Sequence, residues 1–116
     1  MATVTPIAVY NGDKTFTVTW TGIVTADTAT PYNIKGNVSD ITVFSSGTFA
    51  GGSSVSFRGS NDNTNFESSL VDVGGTAIAH TAADGSEIRG GWPYIGPVVA
   101  SGAADSVTVT MSFRAA

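Results

Sequence analysis

The chain has no cysteine, one histidine and few charges: only 12% of its 116 residues are Asp, Glu, Lys or Arg. Without cysteine there is neither a disulfide framework nor a thiolate metal site, which argues against a small secreted domain and leaves packing to hold the fold. The single histidine, His80, lies in the apolar run TAIAHT, and no serine sits in a G-x-S-x-G elbow. A lone histidine on a strand is more often a packed or surface residue than a base, because catalysis also needs a nucleophile and an orienting group, so no enzyme is expected. The five cations Lys14, Lys35, Arg58, Arg89 and Arg114 are scattered. No basic face can form from them to displace counterions from phosphates, and nucleic acid is not an expected partner. No run approaches the roughly 20 apolar residues that span a bilayer. The start, MATVTPIAVYNGDK, lacks a basic flank and a long apolar core, so no membrane partner and synthesis in the cytosol are expected.

What replaces charge is Ser, Thr, Gly and Ala, a surface that solvates adequately but packs easily against neighbours. At 41% hydrophobic, the chain is expected to be one domain over residues 1–116, burying roughly two thirds of its unfolded surface. Strand patterns run through it. Ile7-Ala8-Val9-Tyr10 and Lys14-Thr15-Phe16-Thr17-Val18-Thr19-Trp20 flank Asn11-Gly12, which predicts a hairpin with a type I′ turn. Phe16, Val18 and Trp20 then form an apolar face and the threonines a polar one, open to solvent or to a neighbour. Val107, Val109, Met111 and Phe113 alternate with Thr108, Thr110, Ser112 and Arg114 in the clearest period-two strand. Gly51-Gly52 and Gly74-Gly75 predict further hairpins, Ala82–Ser86 a turn, and Gly90-Gly91 a bulge or kink. Residues 26–37 read as a long connection. About seven or eight short strands imply an all-β, antiparallel β-sandwich with Greek-key or jelly-roll connections.

Three groups stand out as candidate sites. The loop Ser60, Asn61, Asp62, Asn63, Thr64, Asn65 is closed by Phe66 and is oxygen-rich. It lacks the glycine and terminal glutamate spacing of a calcium loop, so an Asx-type turn is expected and no metal or other cofactor. Trp92, Pro93 and Tyr94 combine aromatic rings with a rigid backbone, as contact surfaces do; the competing reading is that Trp92 caps the core and the Tyr94 hydroxyl pairs with backbone. Residues 1–9, with Thr3, Val4, Thr5, Pro6 and Ile7, form either an N-terminal arm that adds to a partner's sheet or an edge strand. Asn37-Val38-Ser39 matches a glycosylation sequon, but with no signal segment in view no consequence is expected.

The order TVTWTG (Thr17–Gly22), Asp27-Thr28 with Pro31 after it, GTFAGGSSVSFRGSNDNTNFESSLVDVGG (Gly47–Gly75), PYIGPVVASG (Pro93–Gly102) and VTVTMSFR (Val107–Arg114) resembles small structural proteins of tailed bacteriophages. Some of those are similar to head decoration, or cement, proteins with a β-sandwich fold. The resemblance implies a virion protein, made in the host cytoplasm, that sits on the outer capsid surface as a homotrimer and bridges major capsid protein subunits. Where a basic Tyr-Ile-Arg-Pro type sequence is expected, this chain has Tyr94-Ile95-Gly96-Pro97, so no binding role is carried to that position. A Gly-Ser-Asn-Asp turn followed by an aromatic also recurs in discoidin-like carbohydrate-binding sandwiches and in tail proteins. The alternatives are therefore a carbohydrate- or receptor-binding module of a tail or fibre, built on residues 60–65 with Trp92 and Tyr94, or a neck or tail adaptor.

Overall fold

The computed structural model describes residues 2–35, 38–103 and 105–115. It is all-β, with eleven strands and no helix among the described residues: Thr3–Val4 (β1), Ile7–Gly12 (β2), Thr15–Ile23 (β3), Thr28–Ala29 (β4), Tyr32–Asn33 (β5), Val38–Thr48 (β6), Ser54–Ser60 (β7), Phe66–Glu67 (β8), Asp84–Glu87 (β9), Tyr94–Ala100 (β10) and Ser106–Ala115 (β11). The count exceeds the seven or eight expected, and four of the strands are only two residues long. No helix is long and apolar enough to cross a membrane among the described residues.

Two antiparallel sheets carry the structure, in the orders β2-β3-β11-β6-β9 and β5-β10-β7-β8, with a small parallel pair β1-β4. The period-two pattern explains the layering. Val18 and Trp20 of β3, Val107, Val109, Met111 and Phe113 of β11, and Ile41 and Val43 of β6 are buried, and they join one core with Val55 and Phe57 of β7 and Ile95 and Val99 of β10. Trp20 is fully buried, and its indole N–H donates to the Thr30 carbonyl at 2.8 Å, which satisfies its polar end and fixes the segment before β5. Pro97 lies within β10 opposite Phe57, whose carbonyl accepts from Leu70 on the far side. The missing proline donor therefore points away from β7, to the side where β5 has already ended, and no ladder bond is lost.

Bulges adjust the alternation. Between Val107 and Val109 the partner strand β3 carries an extra residue, and Gly22 there has φ +68°. The extra residue lets both Trp20 and Ile23 face the core, three positions apart. A second shift lies between Ser112 and Arg114, where β6 carries the extra residue next to Asp40 at φ +56°.

Several local expectations are corrected. The first hairpin forms, but its turn is Asp13-Lys14, both at positive φ as a type I′ turn needs, while Asn11-Gly12 lies within β2 at a bulge. Gly51-Gly52 does not close a hairpin: β6 and β7 belong to different sheets, so this glycine corner carries the chain from one sheet to the other. Glycine is needed at Gly51 because its φ is +65° and a Cβ would come within 2.9 Å of the Ala103 nitrogen. The turn expected over Ala82–Ser86 is in its second half the strand β9, docked on the edge of β6 with Gly85 against the Phe44 ring. Tertiary pairing overrides the turn propensity of Asp-Gly there. The connection expected over residues 26–37 contains β4 and β5; its last two residues lie outside the described ones, among them Asn37, the acceptor of the sequon.

Phe57 is 1% exposed and packs beside the His80 ring, 6.0 Å between centroids. Phe57→Ala is expected to destabilise the protein by about 3–5 kcal/mol in urea unfolding. A loss below about 1 kcal/mol would contradict this core assignment.

Candidate functional site

On the strands of the five-stranded sheet, the residues that do not enter the core point outward, and the pairing register places them in rows. One row runs Ile7, Thr19, Thr110, Phe44, Gly85, and the next Val9, Thr17, Ser112, Thr42, Glu87. Thr15 and Arg114 begin a third. Across the two full rows the single ionisable side chain is Glu87, at the β9 edge. The middle is hydroxyls of Thr and Ser, and the flanks are apolar: Ile7 is 69% exposed, Val9 53% and Phe44 50%. A shallow depression of about 440 Å³ lies against Phe44, Thr42, Thr110 and Ser112 on this face. Exposed apolar groups on both flanks of an uncharged β-branched surface form a patch that another surface can cover at little desolvation cost.

The strand that opens this face is also its bare edge. Residues Ile7–Asn11 of β2 are exposed and carry no charge, the feature that usually blunts an edge strand. Of the residues offered as arm or edge strand, Thr3 and Val4 pair with Thr28 and Ala29, Ile7 pairs with Thr19, and Thr5 and the half-buried Pro6 join the two. Ala2 N–H donates to Asp27 Oδ1 at 2.9 Å. Thr3–Val4 and Ile7–Val9 are thus paired within the molecule's own sheets; Met1 lies outside the described residues.

Trp92, Pro93 and Tyr94 separate in role. All three are half-buried. Trp92 packs against the core, its ring on the bare backbone of Gly59, where a Cβ would approach within 2.7 Å. Its remaining surface borders a cleft of about 640 Å³ with Asn61, Glu67, Leu70 and Arg89. The carbonyl of Pro93 accepts from Ile34 N–H at 2.7 Å, and Tyr94 pairs with Ser60 and Asn33 in the sheet. The structure therefore brings Trp92 together with Asn61 of the polar loop, but not with Thr3–Ile7. Gly96, the position that departs from the resemblance, faces Pro31, which a Cβ would meet at 3.1 Å. A larger residue there would have to displace the 28–31 segment.

The polar loop is self-contained. Asp62 accepts from the backbone N–H of Thr64 and Asn65, and from the Asn65 amide, at 2.8–2.9 Å. Ser60 Oγ accepts from the N–H of Asp62 and Asn63 and donates to the Asn65 carbonyl at 2.7 Å. Those bonds, the Asn65 backbone first, hold the Asp62 carboxyl well below the usual carboxylate range. Asn63 takes the left-handed conformation at φ +60°, which asparagine tolerates. The carboxylate is thus committed to its own turn. Among the described residues no group of three His, Cys, Asp or Glu side chains stands together as a metal site would require.

No family model matches the chain, no curated protein matches it, and no solved structure matches it. What the surfaces can do rests on their geometry.

Two buried polar ties were not foreseen. Asp105, 4% exposed, accepts from Thr25 N–H (2.9 Å) and Thr25 Oγ1 (2.7 Å), and lies 2.7 Å from Ser53 Oγ. The Thr25 and Ser53 hydroxyls, in that order, lower its pKa to about 2. This carboxylate joins three loops, and Gly102 leaves room for it: a Cβ there would collide with Ser53 Oγ and Asp105 Oδ2. Its partners lie 80 and 52 residues away, so no local pattern announces it.

The second tie is His80, 2% exposed. Its backbone exchanges two 2.9 Å hydrogen bonds with Val55 of β7, while its ring nitrogens reach Ser45 Oγ of β6 at 2.8 Å and Ser86 Oγ of β9 at 2.9 Å. One residue therefore links both sheets. The Ser45–His80 spacing is that of a nucleophile and its base, but Ser45 is fully buried and no substrate atom could reach it.

Burial pushes the His80 imidazole below its ordinary 6.5, with the Asp84 carboxylate opposing in part. The unfolded chain therefore takes up a proton before the folded one does. Stability is complete above pH 6.5 and is lost as pH falls below that value. Asp105 acts in a separate window, complete above its ordinary 3.8 and lost as pH falls toward about 2. The urea midpoint is expected to fall between about pH 7.5 and about pH 5, and His80→Gln to flatten that slope. A slope unchanged in the variant would assign it to another group.

Proposed function

We propose that this chain is a head decoration protein of a tailed bacteriophage. In this reading it is a β-sandwich of the jelly-roll or Greek-key kind, assembled as a homotrimer, that sits on the outer capsid surface and bridges major capsid protein subunits. The observation that carries the reading is the outer face of the five-stranded sheet, with Ile7, Val9 and Phe44 half or more exposed around a floor of Thr and Ser hydroxyls. A face kept for solvent carries mixed charge; this one carries almost none. The resemblance along Thr17–Arg114 supplies the kind of partner.

The mechanism is mechanical. Each copy lays a charge-poor surface on shell subunits that the lattice already holds in place, so the second and third contacts form at high effective concentration. Individually modest interfaces then add up to stable attachment without a large area at any one of them. Hydroxyls contribute directional bonds to partner backbone, and the apolar flanks contribute desolvation. Low net charge, −4 over the chain, limits repulsion between crowded copies.

The test is occupancy on expanded shells that lack the protein, counted by quantitative mass. Saturation in a fixed ratio to the major capsid protein over the whole shell is expected. Phe44→Asp and Ile7→Asp, which add charge to the face without entering the core, are expected to weaken occupancy at least about tenfold, or ~1.4 kcal/mol. No binding, or a few copies at one vertex, would transfer the protein to the tail or neck. Equal occupancy of the variants would remove this face from the contact.

A further inference from the structure

We infer that the Trp92 cleft is a binding site for a pyranose saccharide, independent of any contact made by the outer face of the five-stranded sheet. The cleft is about 640 Å³, within the roughly 300–1,000 Å³ that small-molecule sites occupy. Its wall is the half-buried indole of Trp92, and Leu70 contributes apolar floor. Polar residues from three different segments, Asn61, Glu67 and Arg89, line it as well. Such a set matches a sugar ring. The C–H face of a pyranose stacks on an indole, and its adjacent hydroxyl pairs bridge the two atoms of an amide, carboxylate or guanidinium.

The indole is held, and the backbone that carries the polar residues is fixed, before any ligand arrives. Gly59 admits the indole where any side chain would obstruct it, since a Cβ there would lie 2.7 Å from Trp92 Cγ, and Gly90, at φ +92°, passes beside the ring in ordinary contact with Nε1. Arg89 donates through Nη2 to the Val73 carbonyl at 2.8 Å and packs on Gly75, so its plane is set. Glu67 is paired opposite Gly59 in β8, and Asn61 opens the loop that Asp62 and Ser60 lock. A fixed indole loses little freedom on binding, which suits a ligand whose contacts are individually weak. One cation and one anion on the rim leave the site neutral, which favours an uncharged sugar over a phosphate or nucleotide, whose recognition needs several cations.

Trp20 is fully buried and Trp92 is not, so a change in indole emission on adding ligand reports the cleft. The experiment titrates the whole protein with methyl pyranosides of glucose, galactose, mannose and N-acetylglucosamine, and with the open-chain polyol sorbitol as control. A saturable change with at least one pyranoside and none with sorbitol is expected. Kd is expected to rise at least about tenfold in Glu67→Ala and Asn61→Ala. Both positions are exposed, so their folding is checked by an unchanged urea midpoint. Trp92→Ala removes part of the core cap and is a secondary variant only. The inference is overturned by the absence of a saturable response to any of the four pyranosides, by a response that sorbitol reproduces, or by one that persists unchanged in both exposed variants. Shells take no part in the assay, so its failure says nothing about capsid attachment, and failure on shells says nothing about the cleft.

Discussion

Strict alternation along β11 is the constraint on which the rest depends. Val107, Val109, Met111 and Phe113 must all face the core, and the strand is hydrogen-bonded on both sides, to β3 and to β6. With the side-chain period fixed at two, burying that set forces Thr108, Thr110, Ser112 and Arg114 outward, and the register carries the same choice to Thr17, Thr19, Thr42 and Phe44. Core and outer face are therefore one decision. A slip of one residue would bury the hydroxyls and expose the core, a cost of several kcal/mol at roughly 1.5–3 kcal/mol per large apolar side chain.

Polar groups close what the apolar core leaves open. Asp105 clips the loops before and after the core strands, Asp62 and Ser60 brace the β7–β8 loop, and His80 fastens both sheets through its backbone and ring. At Asp105, Ser60 and His80 the ties satisfy groups that would otherwise be buried without partners. Among the described residues Arg58 is the exception: its guanidinium lies 4.4 Å over the Phe66 ring, and Nε is buried with no partner there. A protein without disulfides acquires its loop rigidity from these bonds, which hold the sheets together and the indole in place.

The strands with strong alternation were legible from sequence: Phe16, Val18 and Trp20, Val55 and Phe57, and the set on β11 all lie where the pattern puts them. So was the Asx character of residues 60–65, because Asp and Ser bond amides two or three residues on, within reach of local reading. The glycine corner at residues 51–52 was not, since a tight turn signal does not say whether the next strand returns to the same sheet. Asp13-Lys14 took the turn because the register of Tyr10 on Phe16, with rings 5.0 Å apart, set the loop. The threonines of β3 and β11 were visible as an alternating set. Their union with Ile7, Val9 and Phe44 into rows required the pairing register, which no single strand contains. The sequence offered Trp92 together with residues 60–65, but not Glu67, Leu70 and Arg89 beside them; the Asp105 clip and the Ser45–His80 contact span 35 to 80 residues and were invisible for the same reason.

The account stands on the outer face of the five-stranded sheet being covered in the assembled particle. Oxidative footprinting of the protein, free and bound to its shell, reads that directly through the side chains of Phe44 and Ile7. The account predicts that both react in the free protein and are protected on the shell, while Trp92 reacts equally in both states. Phe44 and Ile7 reacting equally in both states would contradict it.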